Sequence, residues 1–317
     1  MAQPVERPGR LTIRIAMMGS GGIGGYFGGR MAAAGADVTF IARGRHLNTI
    51  RNTGLRIDSA ELGDALVHPA KATESPADVG PVDCVIMGVK LWDTEETGRI
   101  IAPMLGPDTA VLSLQNGIDG DEILAPIVGR ERLIGGVAFI ASSISEPGTI
   151  KHIGTMQRIV IGEPDGSGSA RLTALHEAMT AGGIDAEISQ DIDRTIWEKF
   201  VFLVGMSSTT TLMNSTIGPI RSDPEGREFL HSVFREVTAV GRARGIDLPA
   251  DFGDTRLEFA DGVPAEMTTS MHHDLKAGNR LELPWLAGAV VRMGREAGVP
   301  TPVCQAVYAA LLPKAGV

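Results

Sequence analysis

Three glycines near the start of the chain have the spacing of a turn that binds phosphate groups. Gly19, Gly21 and Gly24 follow an apolar run that ends at Met18, and small, helix-compatible residues continue over 26–34. This order predicts a buried strand, a tight turn and a helix. The first glycine permits the turn, the second lets the backbone approach a pyrophosphate, and the third allows close packing of helix on strand. The N-terminus of the helix would offer unpaired N–H groups to the phosphates.

The stretch therefore predicts a dinucleotide-binding site, and a plain strand-to-helix turn is the alternative. The candidate cofactor-binding residues of the turn are Gly19, Ser20, Gly21, Gly22, Ile23 and Gly24.

A second predicted strand, 37–43, ends on a positive charge. NAD sites carry Asp or Glu at this point for the ribose 2′-hydroxyl, whereas an Arg accommodates a 2′-phosphate. Here Arg43 is followed by Gly44, Arg45 and His46, with no carboxylate. Arg43 is therefore predicted to bind the 2′-phosphate of NADP, and a solvated loop cation is the alternative.

Two polar residues follow the next predicted strands. The apolar run 83–89 leads to Lys90, and the strand 109–114 leads to Gln115 and Asn116. Ligands of open α/β sheets bind outside the carboxyl ends of the strands, so Lys90 and Asn116 are predicted at the cofactor crevice. The alternatives are a solvated cation for Lys90 and a turn residue before Gly117 for Asn116.

Two charged residues of the second half lie in apolar surroundings. Lys199 precedes a strongly apolar helical stretch, and Glu282 stands between Leu281 and Leu283. A lysine held against apolar neighbours has a lowered pKa, which suits a general acid near neutral pH. The alternatives are a lysine that extends to water and a carboxylate that only stabilises a helix N-terminus.

The elements that would hold these residues divide the 317-residue chain in two. Over 1–190, short β-branched and apolar runs alternate with helical segments, which predicts an α/β domain of the Rossmann type. Over 191–317, helical periodicity dominates and predicts an all-helical domain. The predicted helices of this second domain are Ile192–Leu212, 224–245, 283–298 and 302–312.

Composition excludes several other classes. The net charge of −9 argues against a nucleic-acid or anionic-membrane surface. The only cysteines, Cys84 and Cys304, lack metal spacing, and no disulfide framework is indicated, which fits a reducing cytoplasm. His272 and His273 are adjacent and are interpreted as polar surface, so no metal is assigned. The polar stretch 1–10 has no signal-peptide core and is expected to be a disordered lead-in, so a cytoplasmic protein is predicted.

The chain resembles the ketopantoate reductase (2-dehydropantoate 2-reductase) family over nearly its whole length. The motifs that carry the resemblance are Gly-Ser-Gly-Gly-Ile-Gly at 19–24, Arg43 with His46, Gly-Val-Lys at 88–90, Leu-Gln-Asn-Gly at 114–117, Pro-Gly-Thr-Ile-Lys-His at 147–152, Trp-Glu-Lys at 197–199, Ile-Gly-Pro-Ile-Arg-Ser-Asp-Pro at 217–224, and Ser-Met at 270–271 leading to Glu282.

The resemblance implies an NADP-binding Rossmann domain joined to a helical domain, with hydride transfer from NADPH to a small-molecule 2-oxo acid. It implies that Lys199 is the general acid and that Glu282 holds a substrate hydroxyl. Asn116 would position cofactor and substrate, Lys90 would lie beside both, and Ser270 would contact the substrate carboxylate. A monomer and a homodimer are both compatible with the sequence.

The sequence also departs from the family's pattern. Leu203 stands where the family has an asparagine one helical turn after the lysine, and Ser207 replaces a second asparagine, at a substrate-binding position. At three further positions where the family has polar residues, this chain has Leu281, Pro284 and Ala287. Fewer donors suit a more apolar substrate. Ketopantoate is therefore the leading substrate, a more apolar 2-oxo acid is the first alternative, and a non-catalytic NADP-binding regulator is the second.

Overall fold

The computed structural model describes residues 13–316, so the lead-in predicted over 1–10 lies outside the described residues. The chain forms two compact units. The first contains the residues up to Gln115 together with Asp121–Ile192, and the second contains Asn116–Gly120 together with the chain from Asp193 onward. The prediction of a single division between residues 190 and 191 did not foresee that a short internal segment groups with the second unit.

The first unit alternates strands and helices. Its strands are β1 (Arg14–Met18), β2 (Asp37–Ile41), β3 (Leu55–Ser59), β4 (Ala65–Val67), β5 (Lys71–Thr73), β6 (Val82–Met87), β7 (Leu105–Ser113), β8 (Leu133–Glu146), β9 (Thr149–Gly162) and β10 (Asp185–Ile188). Its helices are α1 (Gly22–Ala33), α2 (Gly44–Thr53), α3 (Thr94–Ile100), α4 (Gly120–Val128) and α5 (Ala170–Ala181).

The strands form one mixed sheet in the order β4-β3-β9-β8-β7-β6-β1-β2-β5, and β10 pairs with β9. The six strands from β8 to β5 in this order are mutually parallel, and β8 and β9 then form an antiparallel pair. The side chains of β1 alternate between the faces, with Ile15 and Met17 in one core cluster and Ala16 and Met18 in another. The sheet is therefore covered on both sides, as the apolar strands predict, and the predicted Rossmann-type domain is confirmed.

Helix α1 lies very close to the sheet because its inner face carries glycines. A Cβ on Gly25 would lie 2.7 Å from the Ile150 side chain, and one on Gly28 would lie 2.6 Å from Met17. Larger residues would push the helix away from the strands, so this glycine-rich composition holds the N-terminus of α1 near the end of β1.

The described residues of the second unit form helices joined by loops and contain no strand, which confirms the predicted class. Its helices are α6 (Ile192–Leu212), α7 (Ile217–Ser222), α8 (Pro224–Ala243), α9 (Phe252–Gly262), α10 (Ser270–Ala277), α11 (Ala287–Ala297) and α12 (Pro302–Leu311). Buried side chains of α6 and α8 form the centre of its core. The Glu236 carboxylate accepts the backbone N–H groups of Val303 (2.7 Å) and Cys304 (2.8 Å), which satisfies donors in the first turn of α12. Among residues 13–316, every helix is too short or too polar to cross a membrane.

Candidate functional site

The glycine turn between β1 and α1 has no room for side chains at two positions. Gly19 has φ +95°, and a Cβ there would lie 2.8 Å from the Val89 backbone nitrogen. A Cβ on Gly24 would lie 2.1 Å from the Gly19 carbonyl oxygen. At Gly21, by contrast, a Cβ would meet nothing within 4 Å. The backbone at Gly21 thus borders open space, as close approach by a pyrophosphate requires.

The other residues of the turn are fixed by the surrounding protein. The buried Ser20 hydroxyl donates to the Ile41 carbonyl oxygen at 3.0 Å, so Ser20 offers a ligand its backbone rather than its side chain. A Cβ on Gly22 would lie 2.3 Å from the Ser142 carbonyl oxygen, so β8 closes against the first turn of α1. Ile23 packs against the core.

A glycine substitution can separate a dinucleotide site from a plain turn. Gly21→Ala adds a methyl group in open space, so it should lower the melting temperature little while weakening NADPH binding about 10-fold or more. Gly24→Ala should lower both the melting temperature and the affinity for NADPH, because the turn itself must move. Gly168→Ala, in an open loop of the same unit, is the control. Unchanged NADPH affinity in Gly21→Ala, measured by fluorescence titration, would favour the plain turn.

Arg43 stands at the carboxyl end of β2, where it is the N-cap residue of α2. Its side chain is exposed and makes no hydrogen bond or ion pair within residues 13–316. It is thus available to an anion that binds at this edge of the sheet.

Gln115 joins two neighbouring strand ends and was missed by the sequence reasoning. Its Nε2 donates to the Val89 carbonyl oxygen at 2.9 Å and to Thr94 Oγ1 at 2.7 Å. It therefore fixes the segment that carries Lys90, whose ammonium group lies 5.6 Å from the centre of the Trp92 ring. The available signal was its position two residues after the end of β7, where an amide can bridge to the adjacent strand.

Lys199 of α6 contacts Asn116 in the second unit. Its Nζ donates to Asn116 Oδ1 at 3.0 Å. Burial lowers the pKa of the Lys199 ammonium group to about 8, and the negative charge of Glu282 opposes that shift. Glu282 is only 4% exposed. Lys199 thus contacts Asn116 directly and is affected by the charge of Glu282, although these three predicted catalytic residues are far apart in sequence.

Further contacts hold the segment Asn116–Gly120 in the second unit. Arg292 of α11 donates to the buried Asp119 carboxylate at 2.5 Å. Ile118 packs against the helical core, and Gly117 has φ +94°, which allows the chain to turn directly after Asn116. Sequence reasoning missed Asp119 and Arg292, because nothing local marks a pair that is 173 residues apart.

The Asp119–Arg292 pair supports a prediction. Asp119→Ala should reduce kcat severalfold, because the loop loses an anchor and Asn116 then holds Lys199 less firmly. Asp261→Ala removes the exposed Asp261–Arg227 pair of the same unit and serves as the control. Equal steady-state rates for the two variants would contradict a role for Asp119 in placing Asn116.

The remaining predicted substrate residues lie on α6 and α10. Ser207 is two turns after Lys199 and 1% exposed, and its hydroxyl is without a hydrogen-bond partner among the described residues. Ser270 is exposed as the first residue of α10. The neighbouring Thr269 hydroxyl lies 3.4 Å from that of Thr210 on α6.

The interpretation of His272 as polar surface was wrong, since this residue is fully buried. Its Nε2 donates to Asn214 Oδ1 at 3.0 Å, and its Nδ1 accepts from the Thr268 hydroxyl at 2.5 Å. Burial and the Lys276 charge lower the pKa of His272. These partners are distant in sequence or outside the helix, so local polarity misled the interpretation. His273 is exposed. The part of the chain that the structure describes has no group of three or more His, Cys, Asp or Glu residues that could hold a metal ion.

Comparisons with known proteins match both units. The model for ketopantoate reductase PanE/ApbA matches residues 15–166, and that for its C-terminal part matches 191–315. The chain belongs to the ketopantoate reductase family. This family consists of oxidoreductases, and the chain is one of them.

Individual relatives of this family member extend over nearly the full chain. A 2-dehydropantoate 2-reductase from Mesorhizobium japonicum is 32% identical over 94% of this chain and 96% of its own length. The solved 2-dehydropantoate 2-reductase from Geobacter metallireducens has a TM-score of 0.88 and 30% identity, covering 95% of this chain and 99% of its own. D-mandelate dehydrogenase, solved with NADH and anilino(oxo)acetate, shares the fold with a TM-score of 0.84 at 22% identity, covering 95% of this chain and 98% of its own.

Proposed function

We propose that this family member reduces a 2-oxo acid to the 2-hydroxy acid with NADPH, and that ketopantoate is its leading substrate. The observation that carries the proposal is the contact of the Lys199 ammonium group with Asn116 beside the charge of Glu282, with the Lys199 pKa lowered to about 8. The relatives named 2-dehydropantoate 2-reductase support the same reaction.

The residues of the glycine turn fit a dinucleotide. Gly21 borders open space and is the N-cap residue of α1. Because glycine has no side chain to cap the helix, the backbone N–H groups of the first helical turn are available to a pyrophosphate. Exposed Arg43 suits the 2′-phosphate of NADP. When bound, the nicotinamide supplies a hydride to the carbonyl carbon of the substrate.

Lys199 supplies the proton of the reaction. Negative charge grows on the carbonyl oxygen as the carbon is reduced, and a nearby ammonium group stabilises that charge and donates a proton to it. Asn116 Oδ1 accepts one ammonium hydrogen and so orients the group. Glu282 favours the charged form of Lys199, which keeps the acid protonated near pH 7 despite its burial. After the transfer, neutral Lys199 regains a proton from solvent, because its pKa of about 8 lies above the ambient pH.

A more apolar 2-oxo acid is the second candidate, because Leu203 stands one turn after Lys199 and has no hydrogen-bonding group for a substrate hydroxyl. Leu281 and Leu283, on either side of Glu282, are buried in the helical core. A regulator that only binds NADP would need neither Lys199 nor Glu282.

A substrate panel tests the proposal. Purified protein is given ketopantoate or a branched, unhydroxylated 2-oxo acid such as 2-oxoisovalerate, with NADPH or with NADH, and cofactor oxidation is followed by absorbance. We expect ketopantoate reduction to be much faster with NADPH. Turnover of 2-oxoisovalerate without ketopantoate would support the second candidate, and NADPH binding without turnover of any 2-oxo acid would support the regulator.

A further inference from the structure

We infer that His46 is a positioning residue of the dinucleotide site, and that its imidazole orients the glycine turn through the Ser20 carbonyl group. The inference rests on the proposed function, because it concerns the cofactor that the turn would bind. His46 lies in the first turn of α2, three residues after Arg43.

Two hydrogen bonds define the state of the ring. His46 Nε2 lies 2.9 Å from the Ser20 carbonyl oxygen, and the Gly148 backbone nitrogen lies 3.0 Å from His46 Nδ1. A carbonyl oxygen can only accept, so Nε2 carries a hydrogen. A backbone N–H can only donate, so Nδ1 is unprotonated. Both bonds form together only in this neutral tautomer, and burial, which lowers the pKa of His46, favours the neutral ring.

The Ser20 carbonyl determines where the next N–H points. Because the peptide between Ser20 and Gly21 is planar and trans, its C=O and N–H point in opposite directions. Drawing the carbonyl oxygen toward His46 therefore directs the Gly21 N–H to the other side. Gly21 borders open space and is the N-cap residue of α1, which is where a pyrophosphate would approach.

The turn needs such restraint because Ser20 lies between two glycines. Gly19 and Gly21 lack side chains that would limit rotation of the adjoining peptides. Ser20 is held at two points, by its hydroxyl bond to the Ile41 carbonyl oxygen and by the His46 bond to its own carbonyl oxygen. The second bond acts on the peptide that carries the Gly21 N–H, so its loss should affect cofactor binding most directly.

Two substitutions separate the two bonds of His46. His46→Asn can still accept from Gly148, with its side-chain oxygen near the position of Nδ1, but it cannot reach the Ser20 carbonyl. His46→Gln can donate to Ser20 from its terminal nitrogen, but it loses the acceptor for Gly148. Dissociation constants for NADPH and NADH are measured for both variants and the unmodified protein, together with KM, kcat and melting temperature.

We expect His46→Asn to weaken NADPH and NADH binding by the same factor, about 5- to 10-fold, because both cofactors carry the pyrophosphate. KM for the cofactor should rise much more than kcat falls, and His46→Gln should bind within about 2-fold of the unmodified protein. Binding by His46→Asn within 2-fold, equal losses in both variants, or a loss confined to NADPH would overturn the inference.

The inference and the proposed function can fail separately. If the unmodified protein binds neither NADPH nor NADH, both the inference and the proposed function are overturned. Unmodified protein that binds NADPH, together with an unaffected His46→Asn, overturns only the role of His46. Should His46→Asn fail to fold, His46→Gln keeps the inference falsifiable, because a loss of NADPH affinity of 5-fold or more in that variant would contradict it.

Discussion

Replacing Lys199 by methionine or alanine is expected to lower kcat for 2-oxo acid reduction about 100-fold or more, since positioned general acids contribute this much. Methionine retains most of the apolar stem and removes only the ammonium group, so its effect isolates the proton donor. Lys314→Met, at an exposed position of the same unit, is the control. A decrease in kcat of only a few-fold for Lys199→Met, in protein that is folded by circular dichroism, would contradict the assignment.

The same residue should determine the pH dependence of the reaction. Reduction requires protonated Lys199, so kcat should be constant below a pH of about 8 and decline above it. Oxidation of the hydroxy acid requires the neutral amine, so its rate should rise through the same pH. Glu282 opposes the lowering of the Lys199 pKa, so Glu282→Gln should move the midpoint to lower pH. A midpoint that moves to higher pH in Glu282→Gln would contradict this electrostatic account.

Replacing Arg43 by alanine is expected to raise the KM for NADPH by about 10- to 100-fold and to leave the KM for NADH nearly unchanged. A charge-assisted hydrogen bond to a phosphate has this magnitude, and NADH lacks the 2′-phosphate. Arg45 is also exposed and lies in the first turn of the same helix, so Arg45→Ala is the matched control. Equal losses with NADPH and NADH in Arg43→Ala would show that Arg43 does not distinguish the two cofactors.

Local sequence patterns determined much of the fold. The β1-turn-α1 arrangement could be predicted because glycine spacing and apolar periodicity act over a few residues. Helix α6 begins and ends at the predicted residues, Ile192 and Leu212, because its apolar periodicity is long. Elements with weaker local signals were missed. The edge strand β5 has only 3 residues, α4 contains Pro126, and α7 and α10 have only 6 and 8 residues. Helix α9, with 11 residues, was missed as well.

For the candidate site, the sequence by itself identified residue types suited to binding and proton transfer, among them Gly21, Arg43, Lys199 and Glu282. Their roles remain predictions, but their chemistry could be recognised because charge, size and backbone freedom are properties of single residues. The sequence could not show which groups meet.

Tertiary structure alone decided the partners. It placed the Lys199 ammonium against Asn116, 83 residues away, and grouped Asn116–Gly120 with the helical unit. It also joined His46 to Ser20 and to Gly148, 102 residues further along. Such contacts follow no period in the chain, because they depend on how whole elements pack. Hydrogen-bond direction and desolvation then determine the protonation state of Lys199 and His46, and those properties exist only once the packing is complete.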